Sequence, residues 1–440
     1  MNTKLCLSLF VMSIFLSFNV LAQQPSEAQR LDSITITSTA IELPFKKNSR
    51  TITLISSEVI KQSPATNLAE LLQQEAGIDV RRQGVNGMQA DLYIRGGSFD
   101  QTLLLIDGIK VEDPQTGHHT LNMALPLEVI ERVEIIKGPA ARVFGQNAFT
   151  GAINIVTKSN ADTVNSVGYK LGSYNQQQAS GTLGTNLGNT SLIGHASVNT
   201  SEGYRHNTDF ENQNYFVKGR FNTNGNPIDV IGTFSERKFG ANQFYAVESG
   251  HDQYEETQSS LVGASTKFQT ENFKITPRVY WKRNQDMYLY VRERPSVYRN
   301  LHISNKVGLQ VNASYTSNAG ITGFGIDAAK VFMTSTNLGE RDRTMANLFV
   351  EHRFSLADNT LDITPGISVN YFSDFKFHAF PGVDVGYAVN DAFKAYANVG
   401  YTYRVPTYTD LYYVGRTDLG NENLEPEKAL SGEIGLKYFG

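Results

Sequence analysis

The 440-residue sequence contains one cysteine, Cys6, and one tryptophan, and only 19% of its residues are charged, against about 25% in an ordinary soluble protein. With Cys6 inside an N-terminal leader, no cysteine remains for a disulfide framework, a thiolate zinc site or thiol catalysis. Charge of one sign is also missing. Lysine and arginine number 39 and acidic residues 43, a net charge of −4, so no nucleic-acid-binding surface is expected. After residue 22 no uninterrupted apolar run reaches the length of a membrane-spanning helix. Zinc-protease, phosphate-loop and nucleophile-elbow motifs are absent; no enzymatic activity and no cofactor are expected.

The first 22 residues carry Lys4, the apolar stretch Leu5 to Val20 and the small-residue site Val20-Leu21-Ala22, the pattern of a secretory signal peptide. Residues 23–44 are expected to form a periplasmic N-terminal segment, 45–158 a compact α+β unit and 159–440 a β-rich domain. In the α+β unit, Ser63-Pro64 is expected to open a helix carried by Leu68, Leu71, Leu72 and Ala76 and closed by Gly77. Leu103 to Ile106 reads as a buried strand stopped by the Asp107-Gly108 turn. Pro126 begins a short helix over 127–132, and Val133 to Ile136 and Gly151 to Thr157 read as strands.

From about residue 163 apolar and polar residues alternate. Val307, Leu309, Val311, Ala313 and Tyr315 interleave with Lys306, Gly308, Gln310, Asn312 and Ser314, and Tyr215, Val217, Gly219 and Phe221 with Asn214, Lys218 and Arg220. A period of two marks strands with one apolar and one polar face. A soluble sandwich turns the apolar face into a core; a membrane barrel turns it to lipid. The connections decide for the barrel. Joins such as Gly188-Asn189, Asn224-Gly225 and Asp358-Asn359 are short, whereas 201–211, 239–255, 284–300 and 405–427 are long, and short turns on one side with long loops on the other characterise outer-membrane barrels. About 14 strands are expected, beginning near 163, 178, 190, 212, 227, 256, 272, 301, 321, 343, 360, 376, 392 and 428.

Several segments carry a family resemblance. Asp91 to Gly97 with Arg95-Gly96-Gly97, Leu103 to Gly108 with Asp107-Gly108, Ile130 to Pro139 with Glu131, Arg132, Glu134, Gly138 and Pro139, and Gly151 to Thr157 resemble, in order and spacing, the plug domain of TonB-dependent outer-membrane receptors. Arg404 to Thr407 and Asn421 to Glu427 resemble a late-barrel segment of that family. Asp32, Ser33, Ile34, Thr35, Ile36, Thr37 and Ser38 look like the TonB box. Ile34 and Ile36 alternate with Ser and Thr, which suits strand addition to a partner's sheet; 32–38 also reads as simply the first plug strand.

The resemblance implies a monomeric transporter in the outer membrane of a Gram-negative bacterium. A metal chelate binds outside, and TonB, acting from the periplasm, shifts the plug. The compact barrel and the form of box and plug favour cobalamin; a ferric siderophore or haem is the nearest rival, and a non-transporting surface protein or passive porin the alternative of another class. Arg81, Arg82, Arg95, Glu131, Arg132, Glu134 and Arg142 are candidates to pair with lumen residues. Gln83, Asn86, Asp113, His118, Tyr204, Arg205, Tyr245, Tyr290 and Arg292 are ligand-facing candidates. His118-His119 is unsuited to one shared metal, because neighbours in an extended segment point apart. Asp209 and Glu211, with Asn207, are calcium candidates by donor type. Plugged transporters have about 22 strands, and a unit of roughly 110–130 residues has a radius of gyration near ~14 Å. A barrel of 14 strands is too narrow for it, so the sequence is expected to be a fragment whose sheet has open edges.

Overall fold

The computed structural model describes residues 34–37, 39–84, 88–123, 125–162, 164–223, 225–245, 250–416 and 418–439. The signal-peptide expectation therefore lies outside the described residues, as do Asp32, Ser33, Ser38 and Asn86.

A mixed sheet organises the N-terminal unit, in the spatial order Thr51–Ser56, Ile130–Lys137, Gly151–Thr157, Thr102–Ile106, Ile109–Lys110. Only the pair of Thr102–Ile106 with Gly151–Thr157 is parallel. Leu104, Ile106, Val133, Ile135, Ile153 and Ile155 are fully buried in one apolar cluster with Leu71 and Leu72. Two helices cover the sheet. Helix Ser57–Gln62, which the sequence pattern did not reveal, is capped by Ser56, whose side chain accepts from Val59 N–H. Ser63 closes that helix instead of opening the next one. The next, Leu68–Gln73, is capped by Asn67, which accepts from Glu70 N–H, the usual short-side-chain solution for an unpaired first-turn donor. Beyond Pro126 only one 3₁₀ turn forms, Leu127–Val129, because strand Ile130–Lys137 begins at once.

Fourteen strands form one continuous antiparallel path from Ser166–Gly172 to Glu427–Tyr438, and Phe268–Gln269 adds a short side pair. Their lengths run from 7 residues in Ser166–Gly172 to 19 in Arg299–Ser317. Burial along each strand is inverted relative to a soluble protein. Lys306 and Gln310 are 3% and 4% exposed, while Val307 and Leu309 between them are 51% and 46% exposed. Apolar side chains thus line the outside, and polar ones face the lumen and the plug, as a lipid-embedded barrel requires. Among the described residues the first and last strands each pair with one neighbour, so the sheet has two edges.

The long connections at 202–209, 241–253, 290–298 and 405–426 share one end of the sheet. Residues 284–289 and 299–300, expected as loop, extend strands Phe273–Leu289 and Arg299–Ser317. Three joins at the same end, 173–175, 336–338 and 373–375, are short. At the opposite end Glu42 meets Lys267 and Lys274 beside a short turn; that end faces the periplasm.

Candidate functional site

Three linked regions are assembled from the plug motifs upward: the plug–lumen interface, the outer pocket and the N-terminal segment. The Asp107-Gly108 turn joins Thr102–Ile106 to Ile109–Lys110 with φ values of 49° and 80°, as a two-residue hairpin of this hand demands. Its carboxylate accepts from Thr157 N–H at 2.8 Å and Oγ1 at 2.6 Å and from the lumen Lys218 Nζ at 2.9 Å. Burial alone would raise the Asp107 pKa; Lys218 and Thr157 hold it below the ordinary carboxylate value. At Arg95-Gly96-Gly97 the chain turns with positive φ at the first two positions. At Gly97 a Cβ would meet the Thr150 methyl at 2.3 Å, so a side chain there would require Thr150 to shift.

Successive lumen strands clamp the plug by ion pairs. Lys282 meets Asp113 at 3.0 Å, Lys306 meets Glu112 at 2.6 Å and Asp327 meets Lys110 at 2.7 Å. Arg142 donates to Glu351 Oε2 at 3.1 Å and to Asp384 Oδ2 at 2.8 Å, and Arg50 shares Asp384 at 2.6 Å. Arg95 reaches Glu433 on the last strand. Glu112 and Asp113 stay ionised although burial opposes it, because Lys306 and Lys282 outweigh that effect. Of the plug charges expected to face the lumen, Arg95 and Arg142 do so. Arg81 and Arg82 instead pair inside the plug with Asp79 and Glu70, Arg132 pairs with Glu134, and Glu131 is exposed. The barrel partners Lys218, Lys282, Glu351 and Asp384 were not singled out from sequence. The usable signal was a charge on the polar face of an alternating strand.

At the outer end, loops are tied to each other and to the plug apex. Tyr245 donates to Glu255 Oε2 at 2.8 Å, and its hydroxyl oxygen lies 3.2 Å from Gln89 Oε1; its ring meets Tyr288 edge-on at 5.2 Å. Tyr290 packs edge-on against His251. Arg292 grips Asp209 through both carboxylate oxygens at 2.7 and 2.8 Å and lies over Tyr254. Hydrogen bonding to Arg292 keeps Asp209 below the ordinary carboxylate range. The calcium reading loses its ligands by this geometry: Glu211 accepts from Gln213, and no group of three or more metal-ligating side chains occurs among the described residues. Tyr204 and Arg205 stack on each other at the exposed rim, and Gln83 is exposed at the end of its plug strand. Asp113 is taken by Lys282 and buried, which removes it from the ligand-facing set.

The histidine pair lies on a 3₁₀ helix, Gly117–Asn122, instead of an extended segment. Its two rings still part. His118 stacks on Phe99 at 4.0 Å and bonds Asp91 at 2.7 Å, whereas His119 points inward to Asp286 at 3.2 Å. Burial lowers the His119 pKa, but the Asp286 carboxylate overrides it and lifts the ring to about 9. The late-barrel loop docks on the same apex: Tyr408 N–H donates to Pro114 O at 2.9 Å and Thr409 N–H to Gln115 O at 3.1 Å. Arg404 closes that loop by bonding Asp410 and Glu427, both at 2.9 Å.

At the periplasmic end, Thr35–Ile36 pairs with Leu43–Pro44, and Ile36 is fully buried with Ile52 and Ile136. Glu134, 0% exposed, accepts from Thr37 N–H at 3.2 Å and from Asn154 Nδ2 at 3.1 Å. Arg132 bridges Glu134 and the Thr37 hydroxyl.

Comparison with known proteins resolves what this architecture is. The TonB-dependent Receptor Plug Domain family matches residues 44–152, and the TonB dependent receptor-like beta-barrel family matches 152–440. The chain is a TonB-dependent receptor. It is accordingly an outer-membrane protein with a plug followed by an antiparallel barrel sheet. The receptor is similar to the vitamin B12 transporter BtuB of Vibrio vulnificus, with 24% identity over 433 residues covering 93% of this chain and 68% of that protein. It is 32% identical over 164 residues to BtuB of Vibrio cholerae, covering 37% of this chain and 27% of the relative. Its fold is similar to the siderophore receptor PirA of Pseudomonas aeruginosa (TM-score 0.71, 18% identity, 88% of this chain and 71% of that one). It is similar also to the hemophore receptor HasR of Serratia marcescens (TM-score 0.73, 14% identity, 88% and 69%). The chain thus spans about two thirds of the length of such relatives.

Proposed function

We propose that this receptor imports a scarce metal chelate, cobalamin in the first place, from the outer face to the periplasm with energy delivered by TonB. One observation carries the transport reading. A plug bound to the lumen through buried ion pairs on several strands leaves a passive sieve no open bore, so passage needs work done on the plug. That disfavours a porin. TonB is the partner proposed for residues 32–38; the described part, 34–37, lies beside the periplasmic turns, which suits capture from that side. The aromatic outer rim suits a large, partly planar ligand held by stacking and hydrogen bonds. Cobalamin is favoured over ferric siderophores and haem because the likeness to BtuB runs along 93% of the chain.

Uptake of radiolabelled cyanocobalamin by cells with and without the gene tests the cargo, with ferric chelates and haem as parallel probes. Loss of uptake in a strain lacking TonB is expected; uptake that persists there returns the porin reading. Deletion of residues 32–38 is expected to abolish uptake while leaving surface binding intact.

A further inference from the structure

Two opposite charges lie buried side by side without meeting. Arg237 is on strand Asn226–Gly240 and Glu255 on the next strand, Tyr254–Thr266. They are 6% and 1% exposed. Arg237 is registered with Thr257, and Glu255 with Phe239. The two are therefore diagonal neighbours on the lumen face, a spacing that long side chains can bridge. Glu255 is also the carboxylate whose charge reaches Arg237.

Each is engaged elsewhere. Arg237 Nη1 donates to the plug at Met88 O, 2.8 Å, and Asn122 Oδ1, 3.1 Å, and Nη2 donates to Leu121 O at 3.1 Å. Glu255 Oε2 accepts from the hydroxyl of Tyr245, in the outer loop, at 2.8 Å. Each also keeps an unused site. Arg237 Nε and Glu255 Oε1 are buried without a hydrogen-bond partner among the described residues, a state that costs free energy and that folded proteins mostly avoid. The other charges near Glu255 are already matched: Asp286 Oδ2 meets His119 at 3.2 Å and accepts from Gln115 at 3.4 Å.

With the plug apex seated, Arg237 is satisfied by three plug oxygens. If the apex lifts, all three leave together, and a buried guanidinium is stranded. Glu255 is the acceptor within reach, and turning to Arg237 draws it away from Tyr245. That hydroxyl ties the loop at 241–245 to the wall, and its neighbour Phe244 packs with Met88 of the plug. We propose that Arg237 and Glu255 form a two-position switch joining the plug apex to the outer loop. Seated, Arg237 holds the plug and Glu255 holds Tyr245; lifted, Arg237 and Glu255 hold each other and the loop is free. The new pair lowers the cost of lifting and makes the two departures one event. The switch deepens the import reading and rests on it only for the use to which a lifting apex is put.

Hydrogen exchange on the full chain in detergent reads the switch with neither ligand nor TonB present. Glu255→Gln keeps an oxygen for the Tyr245 hydroxyl but offers Arg237 no charge. The lifted state then loses its ion pair, so amides over 117–122 are expected to exchange at least about tenfold more slowly than in the parent, the scale of one charge-assisted hydrogen bond. A carboxylate that merely props the loop gives unchanged or faster exchange, and either result overturns the switch. Asn122→Ala removes one plug acceptor of Arg237. It is expected to speed exchange over 117–122 and, by a similar factor, at the Ala241 and Phe244 amides, which bond Gln253 O and Ala241 O. The second effect is expected to vanish in Asn122→Ala/Glu255→Gln; its persistence there overturns the coupling. Failure of cyanocobalamin uptake in cells removes the cargo reading and leaves these exchange results to decide the switch.

Discussion

Arg142 offers the sharpest test of whether ion pairs hold the plug. It is 4% exposed and reaches Glu351 at 3.1 Å, Asp384 at 2.8 Å and the Thr364 carbonyl at 3.2 Å. Asp384 has a second cation in Arg50, but the Glu351 side chain, 5% exposed, has its ion pair in Arg142. Arg142→Met therefore strands one buried carboxylate. Removing one partner of a buried pair costs about 3–5 kcal/mol. At about 1.4 kcal/mol per factor of ten, local opening should rise roughly a hundred- to several-thousand-fold. Hydrogen exchange in detergent reads this directly at residues 143–145, whose amides are bonded within the short helix Ala141–Phe144. The double variant Arg142→Met/Glu351→Met removes both charges and is expected to recover most of the protection, since apolar replacement of a whole buried pair is often neutral. A single variant within about 1 kcal/mol of the parent, or a double variant less protected than the single, refutes the clamp.

Three further outcomes are expected. Glu134→Gln weakens the acceptor shared by Thr37, Arg132 and Asn154, and should speed exchange of the Thr37 amide and proteolysis of the N-terminal segment at a cost of about 1.5–3 kcal/mol; unchanged exchange would mean that Ile36 burial alone holds the segment. His119 has a folded-state pKa raised from 6.5 to about 9. Its contribution, up to about 3 kcal/mol, is full below pH 6.5 and disappears as pH climbs through 9. Exchange over 117–122, corrected for intrinsic rates, should rise between pH 6 and pH 10 in the parent and stay level in His119→Gln. Leu309→Arg puts a charge on the lipid face and should cost about 2–4 kcal/mol near mid-membrane, read as a lower unfolding midpoint in vesicles; a cost no larger than that of Leu309→Ala would place this face away from lipid.

Much of the fold was legible because both signals behind it are local. Strand starts expected near 190, 301 and 376 fall at Thr190, Arg299 and Lys376, since lipid on one side and water on the other impose strict alternation. The Asp107-Gly108 hairpin was legible because only a positive-φ pair closes so short a turn. Helix Ser57–Gln62 was missed because six residues give barely two turns of periodicity, and Ser63-Pro64 looked like a start when Ser63 ends the preceding helix. The site was less legible. Arg95 and Arg142 could be suspected, but not that Arg142 would share Asp384 with Arg50 across more than 240 positions of sequence. Asp209 looked like a metal ligand by type; the position of Arg292, set by a different loop, decides otherwise. Pairings of that kind depend on how strands align around the sheet, which no single segment encodes.

The choice of charge for the clamp has a physical consequence for transport. An apolar seam between plug and wall would expose hydrocarbon whenever the plug shifted, at about 25 cal/mol per Å². It would then reclose or aggregate instead of passing solute. Ion pairs behave differently. Their desolvation penalty already cancels much of their attraction while buried, and water entering the gap rehydrates both partners. Lys282–Asp113, Lys306–Glu112 and Arg142–Glu351 therefore fix the plug's position strongly while adding little to the net work of separating it under water. Apolar contact is added where Ile193, Phe216, Ile231, Leu261 and Tyr280 of the wall join the plug core. A receptor that must hold its plug in register and still release it on demand is expected to divide its interface this way.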